Sequence, residues 1–408
     1  MRTLDVYLHG DLVGRLILRN NGRMTFEYLD RWLDSTQAVP LSHSLPLQAK
    51  RFSQGECEPF FGGLLPEADN RRLIARFFHI SERNDFALLE RIGDECAGAV
   101  LLRPAEEADA LDERLLPLAE EDLAAALAEL PQRPLLVGTD GLRLSLAGAQ
   151  DKLAVRLEGD DFFLPLGAAA STHIIKPAIA GYEGLVFNEA FCLLLAAASG
   201  LPTAQCRVGN AGGIDFLLVQ RFDRTRTEDG HIKRIHQEDV CQALGVRTDR
   251  KYQADGGPSL KQCFALLRQA SSAPVLDLTA LLNAVTFNLI IGNHDAHGKN
   301  FALLREPGQV RFAPLYDLVC TAVFPNLSTR LAMRIGRQTD SMRVSLADLE
   351  RMARDAGLAR PLAIESVREL TATIRDQIAS VASQEPRFAP TATHVAQRAE
   401  HFAKSLGA

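Results

Sequence analysis

The sequence predicts an α+β protein with two lobes of unlike class and an additional amino-terminal block. Three observations point there. Residues 142–219 carry short alternating apolar runs separated by turn residues, the pattern of strands. After Asp223 long helical periodicities take over. The chain has 408 residues, 47% hydrophobic and 24% charged, an ordinary globular composition with enough length for two or three cores.

Each element has a local cause. Residues 4–8 and 12–18 alternate around His9-Gly10-Asp11 and read as a hairpin. Residues 70–78 follow a helical pattern. Residues 104–114 are acidic and alanine-rich, an exposed linker. An alanine-rich helix over 120–130 stops at Pro131, where the first boundary is drawn. Strands follow at 152–157, at 161–164 after the turn Glu158-Gly159-Asp160, at 172–176 before Pro177, and at 214–219; an amphipathic helix covers 187–198. The later helices are 259–269, 276–291, 345–356 and 364–380. The division is therefore 1–130, 131–223 and 224–408, the last expected to be all-helical.

Composition excludes several classes. A net charge of −6 and a pI of about 6.0 disfavour a chain that coats nucleic acid by itself. The longest apolar stretch, 190–200, is too short to span a bilayer, and Met1-Arg2-Thr3-Leu4-Asp5 lacks a signal-peptide core, so no membrane association and a cytoplasmic location are expected. Seven cysteines without a Cys-x-x-Cys pair indicate neither a zinc ribbon nor a disulfide framework.

The chemistry concentrates in Ile291-Gly292-Asn293-His294-Asp295-Ala296-His297-Gly298-Lys299-Asn300. Gly292 stops a helix whose core face is Leu282, Val285 and Leu289, so the polar run behind it is a loop. Strands at 301–304 and 310–313, turned by Glu306-Pro307-Gly308-Gln309, lead to Tyr316-Asp317. Asp295, Asn300 and Asp317 can thus meet at the base of one hairpin. Phosphoryl transfer uses such a set: one carboxylate takes the hydroxyl proton, and an amide oxygen and a second carboxylate hold magnesium. Taken singly, Asp295 or Asn300 would be a turn residue; the ordered set is not a common accident. A rival reading makes His294, Asp295 and His297 metal ligands, but no partner cluster with ligand spacing appears elsewhere.

Three further segments fit around a nucleotide. Lys176 ends a strand, where an ammonium can pair with phosphates and Glu189 on the following helix could anchor it; alone it would be an edge lysine. In Leu144-Ser145-Leu146-Ala147-Gly148-Ala149-Gln150-Asp151-Lys152, small side chains let backbone N–H groups approach an anion, though a plain turn would read similarly. Val219-Gln220-Arg221-Phe222-Asp223-Arg224 joins the two blocks, and its backbone could face an adenine edge.

Together these motifs resemble the HipA family of serine/threonine-kinase toxins of type II toxin–antitoxin systems, over nearly the whole chain. The likeness extends to Ser44-Leu45-Pro46-Leu47, Leu64-Leu65-Pro66, His236-Gln237-Glu238-Asp239 and Asp255-Gly256-Gly257-Pro258. The resemblance implies a two-lobed, protein-kinase-like fold related to the lipid-kinase branch, with an added amino-terminal subdomain. It implies ATP and Mg2+ as cofactors and Asp295 as the catalytic carboxylate. Asn300 and Asp317 become the magnesium ligands, and Lys176 a phosphate contact. Ala147, Gly148, Ala149, Gln150, Asp151 and Lys152 form the phosphate loop. Gln220, Arg221 and Phe222 form the adenine hinge, while His297, Gly298, Lys299 and Asn300, with Tyr316, line the nucleotide. Ser145 matches an autophosphorylated serine. Implied partners are a HipB-like helix-turn-helix antitoxin, operator DNA reached mainly through it, and as substrate an aminoacyl-tRNA synthetase, foremost the glutamyl enzyme. Arg330, Arg334, Arg337 and Lys233-Arg234 could add phosphate contacts. Two departures stand out: Gln220 replaces an expected glutamate, and Asp317 is followed by Leu318-Val319 rather than Phe-Gly. The alternatives are an idle corepressor acting with the antitoxin, and a small-molecule or lipid kinase suggested by the Asp-x-His-x-x-Asn order.

Overall fold

The computed structural model describes residues 1–107 and 113–406. They divide into two compact units, the first made of 1–177, 209–248 and 304–308, the second of 178–208, 249–303 and 309–408.

The first unit is built on two large sheets, beside a small pairing of Arg224–Arg226 with Ile232–Arg234. Strands β1 (Arg2–Leu8), β2 (Asp11–Leu18), β3 (Met24–Tyr28) and β4 (Val100–Pro104) form a four-stranded antiparallel sheet in the order β3-β2-β1-β4. Its hairpin turns at His9 and Gly10, both at positive φ, as the sequence suggested. Helices Gln54–Gly63, Ala68–Phe77 and Asp85–Ile92 supply Phe60, Phe61, Ile74 and Leu89 to a core shared with Leu4, Val6 and Phe26. The second sheet holds β5 (Glu113–Leu118), β6 (Leu153–Glu158), β7 (Asp161–Gly167), β8 (His173–Pro177), β9 (Cys206–Ala211) and β10 (Ile214–Gln220), ordered β5-β7-β6-β8-β10-β9.

Here the structure departs from the sequence division. β5 precedes the boundary drawn at 130, yet it pairs with β7, from Glu113 against Gly167 to Leu118 against Phe162. Block 1–130 and all of 131–223 except 178–208 accordingly share one compact unit and one continuous core, with Leu123 and Leu127 packed among Leu153, Val155 and Phe216. The linker expected over 104–114 begins with a short 3-10 turn at Ala105–Glu107 and ends in β5, with 108–112 outside the described residues.

The second unit is built on helices Leu185–Ala198, Leu260–Ala270, Pro274–Ile291, Leu346–Asp355, Arg360–Ala382 and Ala389–Ser405. The five helices expected in this set match to within a few residues, while Ala389–Ser405 is not among them. The expectation of an all-helical block from 224 onward needs correction. Arg330–Ile335 and Gln338–Asp340 form an antiparallel hairpin, turned at Gly336, whose φ of +59° suits glycine. Its strand buries Ala332, Met333 and Ile335 while Arg330 and Arg334 stay exposed. The three arginines drew attention as charges and hid the alternation beneath them.

A second correction concerns the longest apolar segment. It is the helix Pro274–Ile291, with a mean hydropathy of 1.6, and not residues 190–200. By length and composition it could cross a bilayer, but most of it is buried within the protein, as befits a core helix.

Candidate active site

The helix Pro274–Ile291 ends at Gly292 for two reasons. Its φ is +76°, and a Cβ there would lie 2.7 Å from Arg398 Nε and 2.8 Å from Ala322 Cβ. Arg398 closes the helix terminus, donating to the carbonyls of Ile290 (3.1 Å) and Leu289 (2.8 Å), so that a buried cation meets the negative end of the dipole. The loop is then fixed residue by residue. Asn293 donates to Asn288 Oδ1 (2.7 Å) and accepts the Asp295 N–H (3.1 Å). His294 receives Ala332 N–H at its carbonyl (2.8 Å), donates its own N–H to Thr321 Oγ1 (2.8 Å), and sets its Nε2 2.8 Å from Ser341 Oγ. Burial, with Arg398 nearby, pushes the His294 pKa down to about 4.

Asp295 is exposed at the head of this loop. Its Oδ1 accepts the Tyr252 hydroxyl at 2.8 Å. The Tyr252 ring meets the His297 ring edge-on, centroids 5.2 Å apart. His297 donates its N–H to the Asp295 carbonyl (2.7 Å) and to Asn300 Oδ1 (3.0 Å), and the Asn300 N–H returns to the His297 carbonyl (3.0 Å). Gly298, Lys299 and Asn300 form a single 3-10 turn. Asn300 Nδ2 donates to Asp317 Oδ2 at 2.8 Å.

The chain reaches Asp317 through the hairpin of Ala302–Glu306 and Gln309–Phe312, closed at its base by Ala313 N–H to Ala302 O (2.9 Å). Tyr316 donates its hydroxyl to the Lys299 carbonyl (2.6 Å), tying the hairpin's exit to the loop. Asp317 adopts φ +56°, a left-handed conformation that a non-glycine residue holds at a cost of about 1 kcal/mol or more. Asn188 secures the segment behind it, donating to the Cys320 carbonyl (3.1 Å) and accepting the Cys320 N–H (2.8 Å). Strain at Asp317 is thus held from both sides.

The structure brings Asp295, His297, Gly298, Lys299, Asn300, Tyr316 and Asp317 together in the second unit. The remaining site residues belong to the first unit. Lys176 sits on β8 opposite Leu217 of β10, and Gln220 is exposed at the end of β10 opposite His173. Glu189, by contrast, is buried in a helix of the second unit.

Ala147 to Lys152 form a loop shaped from inside and below. Gly148 has φ +105°, and a Cβ there would meet Lys152 Nζ at 2.7 Å. That ammonium donates to the Ala147 carbonyl. Below the loop, Gly148 O accepts the Glu67 N–H (3.1 Å) and Ala149 O accepts Asn70 Nδ2 (3.1 Å). Burial raises the Asp151 pKa, against the opposing pull of a hydrogen bond from Asn70 and of the Lys152 charge. Ser145 is fully buried, its hydroxyl donating to Leu64 O and its N–H to Glu95 O, both at 2.9 Å.

Arg221 has a buried side chain. Its N–H donates to Thr172 O (2.9 Å), and its guanidinium holds Asp223 (2.7 Å) and Glu95 (3.0 Å) in a buried network. Arg224 and Arg234 reach the same Glu95, with Ser171 Oγ at 2.7 Å. Burial alone would raise the Glu95 pKa; the three guanidiniums outweigh it and hold the carboxyl well below its usual range. Arg234 is thus engaged in this network, and Lys233 pairs with Glu306 (2.5 Å) at the surface.

The motif His236 to Asp239 also proves architectural. His236 Nε2 lies 2.7 Å from Leu41 O, Glu238 accepts Ser42, the His43 N–H and Arg305, and Asp239 caps the next helix. Sequence reasoning missed Tyr252, Asn70, Glu95 and Asn188 as neighbours of the site. Only Tyr252 left a signal, lying just ahead of the Asp255-Gly256-Gly257-Pro258 turn.

The rival metal reading finds no support, since no group of three His, Cys, Asp or Glu side chains is placed to hold an ion among the described residues. The donor set at Asn300 and Asp317 is of another kind. It pairs an amide with a carboxylate, side chains whose oxygens are hard donors of the sort magnesium takes when phosphates complete its shell; here the amide turns its N–H to Asp317 and its oxygen to the His297 N–H.

A helix–loop–hairpin that gathers an exposed carboxylate, an amide and a second carboxylate, in a chain that also carries a strand lysine and a small-residue loop, is the arrangement expected of the protein-kinase-like fold class. Residues 4–103 match the family described as HipA N-terminal domain, and 144–379 match the HipA-like C-terminal domain. The chain belongs to the HipA family. It is 45% identical over 386 residues to a Sinorhizobium fredii protein named "Putative kinase Y4mE", covering 93% of this chain and 92% of that one. It is 30% identical over 392 residues to the serine/threonine-protein kinase toxin HipA of Shewanella oneidensis, covering 93% and 89%. The solved complex of Shewanella HipA with HipB and operator DNA contains a chain matching with a TM-score of 0.88 at 28% identity, over 99% of this chain and 98% of that one.

Proposed function

We propose that this chain is the serine/threonine-protein kinase toxin of a type II toxin–antitoxin pair, acting in the cytoplasm. It would transfer the γ-phosphoryl group of ATP to a serine of a target protein. The observation that carries the reading is the ordered set Asp295, Asn300 and Asp317 on one loop and hairpin, with Asn300 and Asp317 in direct contact. Asp295 takes the proton of the acceptor hydroxyl as its oxygen attacks the γ-phosphorus and ADP departs. Asn300 and Asp317 would hold Mg2+, which when bound offsets the charge of the triphosphate. Lys176, the Ala147 to Lys152 loop and the backbone at Gln220 and Phe222 would bind and orient ATP.

Following the family, the target is an aminoacyl-tRNA synthetase, foremost the glutamyl enzyme, and its modification would halt translation. The relative solved with HipB and operator DNA supports a HipB-like helix-turn-helix antitoxin as partner here, with DNA reached mainly through it. The intact acidic set argues against an idle corepressor. Phosphoproteomics on cells expressing wild-type or Asp295→Asn chain tests the proposal. Phosphoserine on one dominant protein, seen only with the wild type, is the expected result. Label entering a metabolite instead would favour the small-molecule kinase, and no difference between the two chains would remove Asp295 from the mechanism.

A further inference from the structure

The turn Asp255-Gly256-Gly257-Pro258 touches none of the groups assigned above, yet its construction is demanding. Gly256 has φ +89°. A Cβ on Gly257 would press on the Arg250 carbonyl and lie 2.7 Å from the Tyr252 carbonyl. That same Tyr252 carbonyl accepts the N–H groups of Gly257 (2.9 Å) and Asp255 (3.0 Å). On the other side, Gln253 Oε1 accepts the Arg334 N–H at 2.8 Å, anchoring the segment to the hairpin strand. Two glycines and two anchors therefore fix the backbone of one residue, Tyr252. Its ring rests edge-on against His297, and its hydroxyl ends on Asp295 Oδ1 at 2.8 Å.

A phenol O–H donating to a catalytic carboxylate at this distance reproduces the contact that an acceptor hydroxyl makes at the start of transfer. We propose that Tyr252 holds the acceptor's place on Asp295 Oδ1, so that any incoming hydroxyl, of water or of serine, must displace it. This rests on Asp295 being the general base. Tyr252 then acts as a positioning residue with a gating role: the tyrosine hydroxyl is donated to the base in the absence of substrate and surrendered to a better-placed hydroxyl. The arrangement gives the exposed part of the turn, Asp255 and Gly256, a purpose beyond leading Pro258 into the next helix.

Tyr252→Phe isolates the hydroxyl and keeps the ring on His297. Two measurements on the full chain decide. Hydrolysis of ATP without any protein acceptor, with water as the only nucleophile, should rise about tenfold in Tyr252→Phe, the scale of one hydrogen bond to a charged acceptor. A merely structural tyrosine would give the opposite, a fall, and a fall or no change overturns the proposal. Carbodiimide activation of Asp295, trapped with an amine and counted by peptide mass spectrometry, should also be faster in Tyr252→Phe; an equal rate overturns the proposal. The underlying reading fails separately. If Asp295→Asn hydrolyses ATP like the wild type, Asp295 is not the base, and the labelling rate still reports whether the phenol covers it.

Discussion

Glu95 shows how much a single side chain can carry. It is buried, accepts from Arg221, Arg224, Arg234 and Ser171, and its backbone carbonyl holds the N–H of Ser145. Glu95→Gln removes one charge, leaves Asp223 to pair with Arg221 and Arg224, and takes the carboxylate partner from Arg234. Breaking a buried ion pair in this way costs about 3–5 kcal/mol, so the variant should unfold at markedly lower urea concentration. An unchanged midpoint would show that the network contributes nothing net. Ser145 supports a second prediction. A carboxylate in place of the hydroxyl would face the Leu64 carbonyl with no donor and add negative charge beneath a loop proposed to cradle a polyanion. Ser145→Asp should therefore lose ATP binding in calorimetry, whereas Ser145→Ala should keep it.

Among the elements, the helix Pro274–Ile291 and its stop decide where the loop begins. Gly292→Ala forces a side chain into φ +76° and onto Arg398 and Ala322, which should cost about 1–3 kcal/mol and lower the thermal midpoint. A neutral substitution would mean that the helix terminus relaxes freely. This helix end, the loop behind it and the hairpin leading to Asp317 were legible in the sequence because each is written in local chemistry: a glycine after an apolar face, a polar run, a Pro-Gly turn. What stayed hidden is long-range. Nothing near Arg221 in sequence announces Glu95, 126 residues away. Arg330 and Arg334 masked a strand because their charges are more conspicuous than the alternation of Ala332, Met333 and Ile335. β5 escaped notice because an edge strand of exposed residues has a weak period and is defined by its partner β7.

For the whole molecule the buried titratable groups set an acid limit. His236 is held neutral by burial, its pKa pushed down to about 3, and His294 to about 4. Unfolded histidine takes up a proton near pH 6.5, so the unfolded chain binds more protons below that value. The stability due to these two residues is complete above about pH 6.5 and is lost as the pH falls toward their folded values. At pH 5 the loss is about 2 kcal/mol for His236. Glu95 and Asp223, both depressed by neighbouring arginines that outweigh burial, add a second loss that starts only below the ordinary carboxylate range. Calorimetric scans should show the midpoint falling between pH 7 and pH 5 and faster below pH 4; a flat profile from 7 to 5 would mean that the histidines are not buried neutral. The concealment of Ser145 beneath the Leu64 carbonyl has a kinetic corollary. A hydroxyl with no surface can react only during excursions of its loop segment, so phosphate accumulating there would integrate the time spent open. The chain would in effect keep a tally of its own fluctuations, advancing quickly when warm or destabilised and hardly at all when the seat is held shut.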